Sequence, residues 1–320
     1  MTAVYLAVQM AILILVGFFA RKVKMVGPRF AGHLAEFVFY IVFPCVVFRS
    51  VVEDFSPEKI ADMSVLIIIS IITMAIMLGL GVLVNAVLRK SDDLARILIM
   101  NLMFTNFTFM AFPVMEALYG QDGIIYITAY TTPVRVLFYA ITPLIFSLRR
   151  AGNGKAGESN ISKGTWKALL SPPVLAVPVG LLVFFLKVPV WAPILLSVDS
   201  LADVATPMGM ALCGMTLAEI PLAGFWAEKR IFLIALLRLL IAPALILGIY
   251  CLIGGYIPMD PVAAKVAILY CALPAAASST IIAMKARADA QSAAQCVLVT
   301  TVLSVITLPG WVFILDRIIF

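Results

Sequence analysis

Charged residues are scarce in this sequence. Of its 320 residues, only 12% are Asp, Glu, Lys or Arg, and 63% are hydrophobic. Because a soluble domain carries about 25% charged residues, this composition excludes an ordinary soluble fold and indicates a polytopic membrane protein. The net charge of +6 does not predict nucleic-acid binding, since the basic residues lie in short loops between apolar runs.

The residues that build metal sites and covalent active sites are also few. The sequence has one histidine, His33, and five cysteines with no CxxC spacing, and it lacks HExxH and GxSxG motifs. This pattern argues against a disulfide framework or a metal cluster. An intramembrane enzyme, which needs such a cluster or a nucleophile with a base, therefore remains only as an alternative. We expect no cofactor, although coupling to H+ or Na+ stays open.

Long apolar runs fill most of the chain. Ten of them approach or exceed the roughly 20 residues that a helix needs to span a bilayer. They cover residues 3–20, 33–52, 63–88, 95–119, 123–148, 167–187, 193–217, 230–253, 262–284 and 290–314. The longest polar interruption, 149–166, is rich in glycine and charge, and it predicts a linker between two halves, 1–148 and 167–320. We therefore predict an all-α membrane protein of ten helices.

Basic residues are distributed unequally between the loops. The loops after spans 1, 3, 5, 7 and 9 hold 16 of the 23 Lys and Arg residues, whereas the loops after the even-numbered spans hold only Lys59, Lys187 and Lys265. By the positive-inside rule, the loops after the odd-numbered spans are cytoplasmic. The linker is then cytoplasmic, and both termini lie outside.

The two halves contain five spans each, so they must cross the membrane with opposite polarity. Many secondary transporters are built from such inverted repeats. Prolines support the arrangement: Pro44 in span 2 and Pro207 in span 7 are 163 residues apart (207 − 44), and Pro113 in span 4 and Pro274 in span 9 are 161 apart (274 − 113). We therefore predict two inverted five-helix repeats with spans 4 and 9 in corresponding positions.

The stretch 101–120 in span 4, NLMFTNFTFMAFPVMEALYG, combines apolar flanks with polar residues and a proline. A proline inside a helix removes a backbone hydrogen bond and clashes with the carbonyl four residues before it. In hydrocarbon, such freed groups are tolerated only against protein or a watery cavity. We predict a broken helix with a solute site beside Asn101, Thr105, Asn106 and Pro113. A proline kink packed against neighbouring helices is the alternative.

Span 9 carries a second proline followed by small and hydroxyl residues. Its sequence, VAILYCALPAAASSTIIAMKA, places Ser278 and Ser279 shortly after Pro274. If spans 4 and 9 both break at their prolines, the two helices can cross near the bilayer centre, where half-helix N-termini favour an anionic group. Ser278 or Ser279 is then a candidate for the site, although serine in a membrane helix often bonds to its own backbone.

Taken together, these motifs resemble the auxin efflux carrier family, over essentially the whole chain. That family includes the PIN-type plant auxin exporters and bacterial permeases associated with malonate and malate, and this chain is more similar to the permease branch. One departure is Ala111, where the family usually has glycine two residues before the proline of span 4. The matching residues are Asn106 and Pro113 in span 4, Pro207 and Gly214 in span 7, Arg238 and Pro243 in span 8, and the stretch CALPAAASST in span 9.

The resemblance implies a division of labour between the helices. Spans 3–5 and 8–10 would form a transport domain around the crossing of broken helices 4 and 9. Spans 1, 2, 6 and 7 would form a scaffold, often with a homodimer surface. Transport would follow an elevator-like displacement of the transport domain, in the cytoplasmic (inner) membrane of a bacterium and in contact with its lipids.

A few charged residues lie inside the predicted spans, where each is costly and needs a reason. Arg135 in span 5 lies close to the middle of the membrane, and its guanidinium fork suits a carboxylate. It is a candidate for holding an anionic substrate; an ion pair with Glu116 or Asp203, or snorkelling, is the alternative. Glu116 and Asp203 are candidates for proton or ion coupling, while Arg49 is expected to reach an interface.

The predicted function is that of a secondary active transporter for a small organic anion, such as the dicarboxylates malonate or malate. A sodium-coupled organic-anion symporter of the bile-acid symporter type is an alternative. It would require several convergent oxygen ligands, some of which Glu116, Asn106 and Ser279 could supply. A membrane-embedded sensor is a further alternative, although the sequence carries no soluble domain that could relay a signal.

Overall fold

The structure is a computed structural model. It describes residues 3–54, 57–87, 93–147, 172–187, 189–219, 229–256, 259–276, 279–280, 283 and 288–319. Within these ranges the chain is helical except for turns and short extended segments, and they contain no β-strand. The predicted linker, 149–166, and Ser278 lie outside the described residues. This architecture confirms the prediction of an all-α protein.

Thirteen α-helices are numbered here in chain order over the described ranges. They are α1 (Ala3–Lys22), α2 (Phe30–Phe37), α3 (Phe43–Asp54), α4 (Pro57–Val87), α5 (Asp93–Met103), α6 (Phe112–Ser147), α7 (Pro172–Leu186), α8 (Ala192–Asp203), α9 (Ala205–Glu219), α10 (Lys229–Leu236), α11 (Ala242–Ile253), α12 (Pro261–Ala272) and α13 (Ala290–Ile318). Three π-helical segments, Val38–Val42, Phe107–Ala111 and Leu237–Ile241, each precede one of these helices directly.

Five helical stretches of the described chain are long and apolar enough to cross a membrane. They are Phe30–Val52, Lys59–Ala86, Ala192–Glu219, Lys229–Leu252 and Ala290–Ile318. Large apolar side chains on their outer faces, such as Ile68 and Ile306, are exposed. In a membrane protein such surfaces are solvated by lipid. The chain is therefore an integral membrane protein, and the count of ten spans stays a prediction.

Each of the three π segments ends two residues before a proline. The segments end at Val42, Ala111 and Ile241, and the prolines are Pro44, Pro113 and Pro243. Proline lacks an N–H and crowds the carbonyl four residues before it, and the wider π turn makes room for both effects within a continuous helix. Prolines in these spans thus produce local widening rather than a break.

In the widened turn of span 8, the Leu239 carbonyl accepts a hydrogen bond from a tryptophan side chain. In a regular helix the Leu239 carbonyl would accept from the N–H of residue 243 (239 + 4), which is a proline. The indole Nε1 of Trp311, on α13, donates to this carbonyl at 2.7 Å. The bond fixes the π segment of span 8 against α13.

Two glycines allow α1 and α9 to pack with their backbones in contact. A Cβ atom on Gly17 would lie 1.9 Å from the Ala211 carbonyl oxygen, and one on Gly214 would lie 1.8 Å from the Ile14 carbonyl oxygen. Both distances are far below the van der Waals contact distance, so any side chain would force the helices apart. Gly214, one of the residues that carries the family resemblance, therefore has a packing role.

Helix α6 lies at the centre of the molecule, in contact with α3, α4, α9 and α12. It covers the end of predicted span 4 and nearly all of span 5, which are divided at Gly120. There φ is +59°, a conformation that glycine adopts without strain. The predicted boundary between the two spans is in this position. Because α6 carries Pro113, Glu116 and Arg135, it brings these three candidate residues into one unit.

Candidate functional site

Two helices of the described chain are interrupted by short extended segments, and these segments pair with each other. Residues 104–106 follow α5, and residues 273–276 follow α12. The Asn106 N–H donates to the Pro274 carbonyl at 2.8 Å, and the Ala276 N–H donates to the Phe104 carbonyl at 3.1 Å. They form one antiparallel bridge, between Thr105 and Ala275. We call these two segments the crossover.

The two prolines of the predicted site have different positions relative to the crossover. Pro274 lies within its extended segment, as expected. Pro113 does not, because it lies in the first turn of α6, after the π segment Phe107–Ala111. The expected break at Pro113 was therefore wrong. The break lies at residues 104–106, where the Asn106 side-chain oxygen accepts from the Phe109 N–H at 3.4 Å and caps the helix that follows.

Arg238 binds the backbone at the ends of both interrupted helices. Its Nε donates to the Leu273 carbonyl at 2.9 Å, and Nη1 donates to the Asn101 carbonyl at 3.0 Å and also to that of Leu102. Asn101 and Leu102 lie in the last turn of α5, and Leu273 is the C-cap residue of α12. Arg238, which the sequence singled out through the family resemblance, therefore has an interhelical role.

Arg135 is buried, with 2% of its surface exposed, among three phenylalanine rings. Its Cζ lies 5.7 Å from the ring centre of Phe39, 5.8 Å from that of Phe107 and 5.4 Å from that of Phe112. A guanidinium at these distances gains cation–π attraction, which strengthens as water is removed. The rings come from spans 2 and 4, so Arg135 is held where those two spans meet span 5.

A group of buried polar side chains lies next to the crossover. Both polar atoms of the Asn101 side chain are buried, and they have no hydrogen-bond partner among the described residues. The Thr105 and Tyr270 hydroxyls are also buried, and neither has a hydrogen-bond partner among the described residues. Tyr270 packs on Tyr130 with ring centres 4.6 Å apart. Buried polar groups that lack partners are rare in proteins and suggest a functional demand.

A cavity of about 10 Å³, roughly the size of one water molecule, adjoins the crossover on one side. It lies between residues 106–109 of span 4, helix α9 and helix α13. Its polar lining comes from Asn106, Thr216 and Thr301, and its other walls are apolar. The two threonines were not singled out in the sequence. Their positions in apolar helices were a weak signal, because threonine also bonds its own helix, as both do here.

Residues after the crossover segment of span 9, 273–276, are described only in part. Ser279 is buried, its N–H donates to the Ala276 carbonyl at 2.9 Å, and its hydroxyl has no hydrogen-bond partner among the described residues. Thr300 on α13 accepts from the Ala275 N–H at 3.1 Å. Thr300 therefore binds the crossover backbone from the neighbouring helix α13, a role that the sequence did not predict.

Glu116 and Asp203 bind Arg49 and not Arg135. The Arg49 guanidinium lies 3.0 Å from the Glu116 carboxylate and 2.6 Å from that of Asp203. Thr206 donates to Glu116 at 2.7 Å. The cluster joins spans 2, 4 and 7. The expectation that Arg49 simply reaches an interface was incomplete, because its position near the end of α3 gave no sign of two carboxylates from distant spans.

A larger cavity of about 250 Å³ lies between α4, α11 and α12. Apart from Thr73, most of its lining is aliphatic, including Ile69, Ile72, Ile246 and Ile268. It offers no charged group that could hold an anion. The polar groups described above lie instead at the crossover, around Arg135 and around Arg49.

An all-α membrane fold with polar groups buried at a break between paired helices is typical of transport proteins. The chain belongs to the membrane transport protein family, that of the auxin efflux carriers, whose sequence profile matches residues 2–312. It is accordingly a transport protein and not an enzyme. The resemblance drawn from the sequence is confirmed.

Three relatives match nearly the full length of the chain. One from Methanothermobacter thermautotrophicus, named "Uncharacterized transporter", is 24% identical over 309 residues, covering 95% of each chain. One from Rhizobium meliloti, named "Putative malonate transporter", is 23% identical over 306 residues, covering 95% of this chain and 92% of its own. An uncharacterized transporter from Methanocaldococcus jannaschii is 22% identical over 315 residues, covering 95% and 96%.

Proposed function

We propose that this protein is a secondary active transporter for a small organic anion, with Arg135 as the anchor for a carboxylate. A dicarboxylate such as malonate or malate is the proposed substrate class. The observation that carries the proposal is the Arg135 guanidinium, buried in the helical core among three aromatic rings. The name of the Rhizobium meliloti relative supports the same class.

Aromatic walls suit a carboxylate-binding arginine. A guanidinium presents a planar fork that can hold both oxygens of a carboxylate. Removing it from water is costly, and a bound anion would offset that cost. The carboxylates of Glu116 and Asp203, which the sequence offered as alternative partners for Arg135, bind Arg49.

The crossover would supply the remaining polar groups. Asn101, Thr105, Asn106 and Ser279 contribute amide and hydroxyl groups there, and Asn106 also lines the small cavity. The helical segment that starts after Asn106 directs N–H groups and a positive dipole end toward the crossover. Pro113 and Pro274 would shape this site, and Ser278 stays a candidate from the sequence alone.

We further propose an elevator-type mechanism with two inverted five-helix repeats. A transport domain of α4–α6 and α10–α13 would move against a scaffold of α1–α3 and α7–α9, and the scaffold would also form a homodimer. At the boundary the two proposed domains pack closely: a Cβ on Gly209 of α9 would lie 2.6 Å from Cγ of Pro113, so the proline packs directly against the glycine.

Coupling and orientation complete the proposal. Glu116 and Asp203 are candidates for carrying a coupling proton, because both lie at the boundary between the proposed domains and Asp203 has 71% of its side chain exposed. The protein would reside in a bacterial cytoplasmic membrane with both termini outside and the linker in the cytoplasm.

The test is a binding and counterflow experiment on purified protein, using malonate as the probe and other mono- and dicarboxylates as competitors. Malonate at 100 times its dissociation constant should stabilise the folded wild type by about 2.7 kcal/mol and so raise its thermal midpoint. Arg135→Gln should stay folded and lose both this shift and counterflow of labelled malonate in liposomes. Arg317→Gln, which alters an arginine at the end of α13, is the matched control and should keep both.

Two outcomes would contradict the proposal. A malonate shift retained in Arg135→Gln would remove Arg135 from the site and leave the crossover groups alone. No shift and no counterflow with any carboxylate, in well-folded wild-type protein, would exclude the anion class.

A further inference from the structure

Helix ends that meet inside a membrane leave carbonyl groups without partners. The last four carbonyls of a helix have no intrahelical donor and carry the negative end of its dipole. Each unsatisfied group costs several kcal/mol in hydrocarbon, where water is absent. In transporters with broken helices, such carbonyls commonly coordinate a sodium ion or a proton. The partners of these carbonyls at the crossover therefore bear on the coupling ion.

Five carbonyls at the ends of the two interrupted helices have partners in the described part of the chain. At the end of α5, the Met100 carbonyl accepts from the Phe104 N–H at 2.9 Å. The Asn101 and Leu102 carbonyls accept from Arg238. At the end of α12, the Tyr270 carbonyl accepts from the Leu273 N–H at 3.3 Å, and the Leu273 carbonyl accepts from Arg238. One guanidinium thus binds the ends of both helices.

Arg238 is held in this position by the shape of its own helix. It lies in the π segment Leu237–Ile241, which Pro243 makes necessary, and it is buried. Trp311 binds the Leu239 carbonyl in the same segment and fixes its register. The positive charge is consequently permanent, fully enclosed and directed at the crossover.

We propose that Arg238 is the resident cation of the crossover, that it takes the place a coupling sodium ion would occupy at the paired helix ends, and that this transporter therefore works without sodium. A second cation beside the guanidinium would meet like-charge repulsion at low dielectric. The positive charge also favours an anion on the opposite side of the crossover. Sodium independence rests on the transport function proposed above, whereas the role of Arg238 as resident cation does not.

The test compares sodium, potassium and choline salts on wild type and four variants. Wild type should have the same thermal midpoint in all three salts, and malonate counterflow should differ by less than about twofold between them. Arg238→Ala should have a lower thermal midpoint and lose counterflow by at least about tenfold, or 1.4 kcal/mol. Millimolar guanidinium chloride should raise the midpoint of Arg238→Ala, because the small cation can bind the freed carbonyls, and should leave that of wild type unchanged.

Two further variants separate charge from hydrogen bonding. Arg238→Lys keeps the charge, and Arg238→Gln keeps donors without charge, so the lysine variant should be closer to wild type in thermal midpoint. If Arg238→Ala does not fold, the thermal midpoints of the lysine and glutamine variants alone test the role of the positive charge. Arg317→Ala, which removes an arginine at the exposed end of α13, is the control and should match wild type in every salt.

Several results would overturn the inference. One is a rise of the wild-type thermal midpoint in sodium alone, or counterflow about tenfold or more faster in sodium than in the other salts. Another is an Arg238→Ala variant that behaves like wild type. A third is equal thermal midpoints of the glutamine and lysine variants. If wild type shows no malonate counterflow at all, the proposed substrate fails, and the thermal midpoints in the different salts still decide the role of Arg238.

Discussion

Three arginines of the described chain make three different kinds of contact. Arg238 binds main-chain carbonyls, Arg49 binds two carboxylates, and Arg135 packs among aromatic rings. The first arrangement satisfies groups that the fold itself creates, and the second neutralises charges between spans. The third arrangement surrounds a guanidinium with aromatic faces, and cation–π attraction to them strengthens as water is removed.

At the scale of a single residue, Asn101 permits a test that separates binding from folding. Its side-chain amide is buried without a hydrogen-bond partner among the described residues. Replacing such a group by an apolar one of similar size removes an unsatisfied polar cost of about 1–3 kcal/mol. Asn101→Leu should therefore keep or raise the thermal midpoint while reducing malonate affinity at least about tenfold, measured by thermal shift and isothermal titration.

The matched control for this prediction is Asn85→Leu. The Asn85 amide is also buried, but it donates to the Ala95 carbonyl at 2.8 Å, so its loss should lower the midpoint. If Asn101→Leu destabilises the protein as much as Asn85→Leu does, the Asn101 amide is structural and leaves the list of site residues.

At the scale of elements, the contact between α1 and α9 depends on the absence of side chains. Gly214→Ala should lower the free energy of unfolding by about 1–3 kcal/mol, because the added methyl group meets the Ile14 backbone and overpacks the contact. Chemical unfolding in detergent micelles measures this change. Gly79→Ala is the control, since a Cβ there meets nothing within 4 Å, and it should raise the free energy by about 0.5–1 kcal/mol. Equal effects of the two variants would refute this account of the helix contact.

The helices themselves followed from the sequence, but the position of the break in span 4 did not. Apolar runs and basic loops predicted where helices begin and end: α13 begins at Ala290 as predicted for span 10, and α8 and α9 together cover predicted span 7. The proline of span 4 suggested a break at Pro113, yet a π turn absorbs this proline locally. The real break at 104–106 depends on pairing with residues 273–276, a contact between distant parts of the chain that no local pattern encodes.

The same limit applies to the candidate site. Asn106 and Pro274 could be placed at the crossing because amides and prolines inside apolar spans are conspicuous. The partners of Arg238 could not, because they are backbone carbonyls, which every residue has. Phe39, Phe107 and Phe112 around Arg135 were equally hidden, since phenylalanine is common in membrane helices and has no spacing that marks a cation site.

At the scale of the whole molecule, the distribution of basic loops predicts the orientation in the membrane. In a variant whose native cysteines are replaced by alanine, Ser56→Cys should react with an impermeant maleimide on intact cells. Ser159→Cys, in the linker, should react only after the membrane is permeabilised. The physical reason is that basic loops resist translocation. Both positions should react in denatured protein, and the reverse pattern on intact cells would invert the proposed topology.

The hydrogen bonds at the crossover can form only late in the synthesis of the chain. A ribosome delivers the first half of the chain before the second. The Asn106 N–H and the Asn101 and Leu102 carbonyls therefore reach the membrane before Arg238 and Pro274 exist to bind them. Until then, span 4 must be sheltered by the insertion machinery or stay only partly inserted. A nascent chain that stops before span 8 leaves these groups exposed to lipid, and such a fragment is a natural target for membrane quality control.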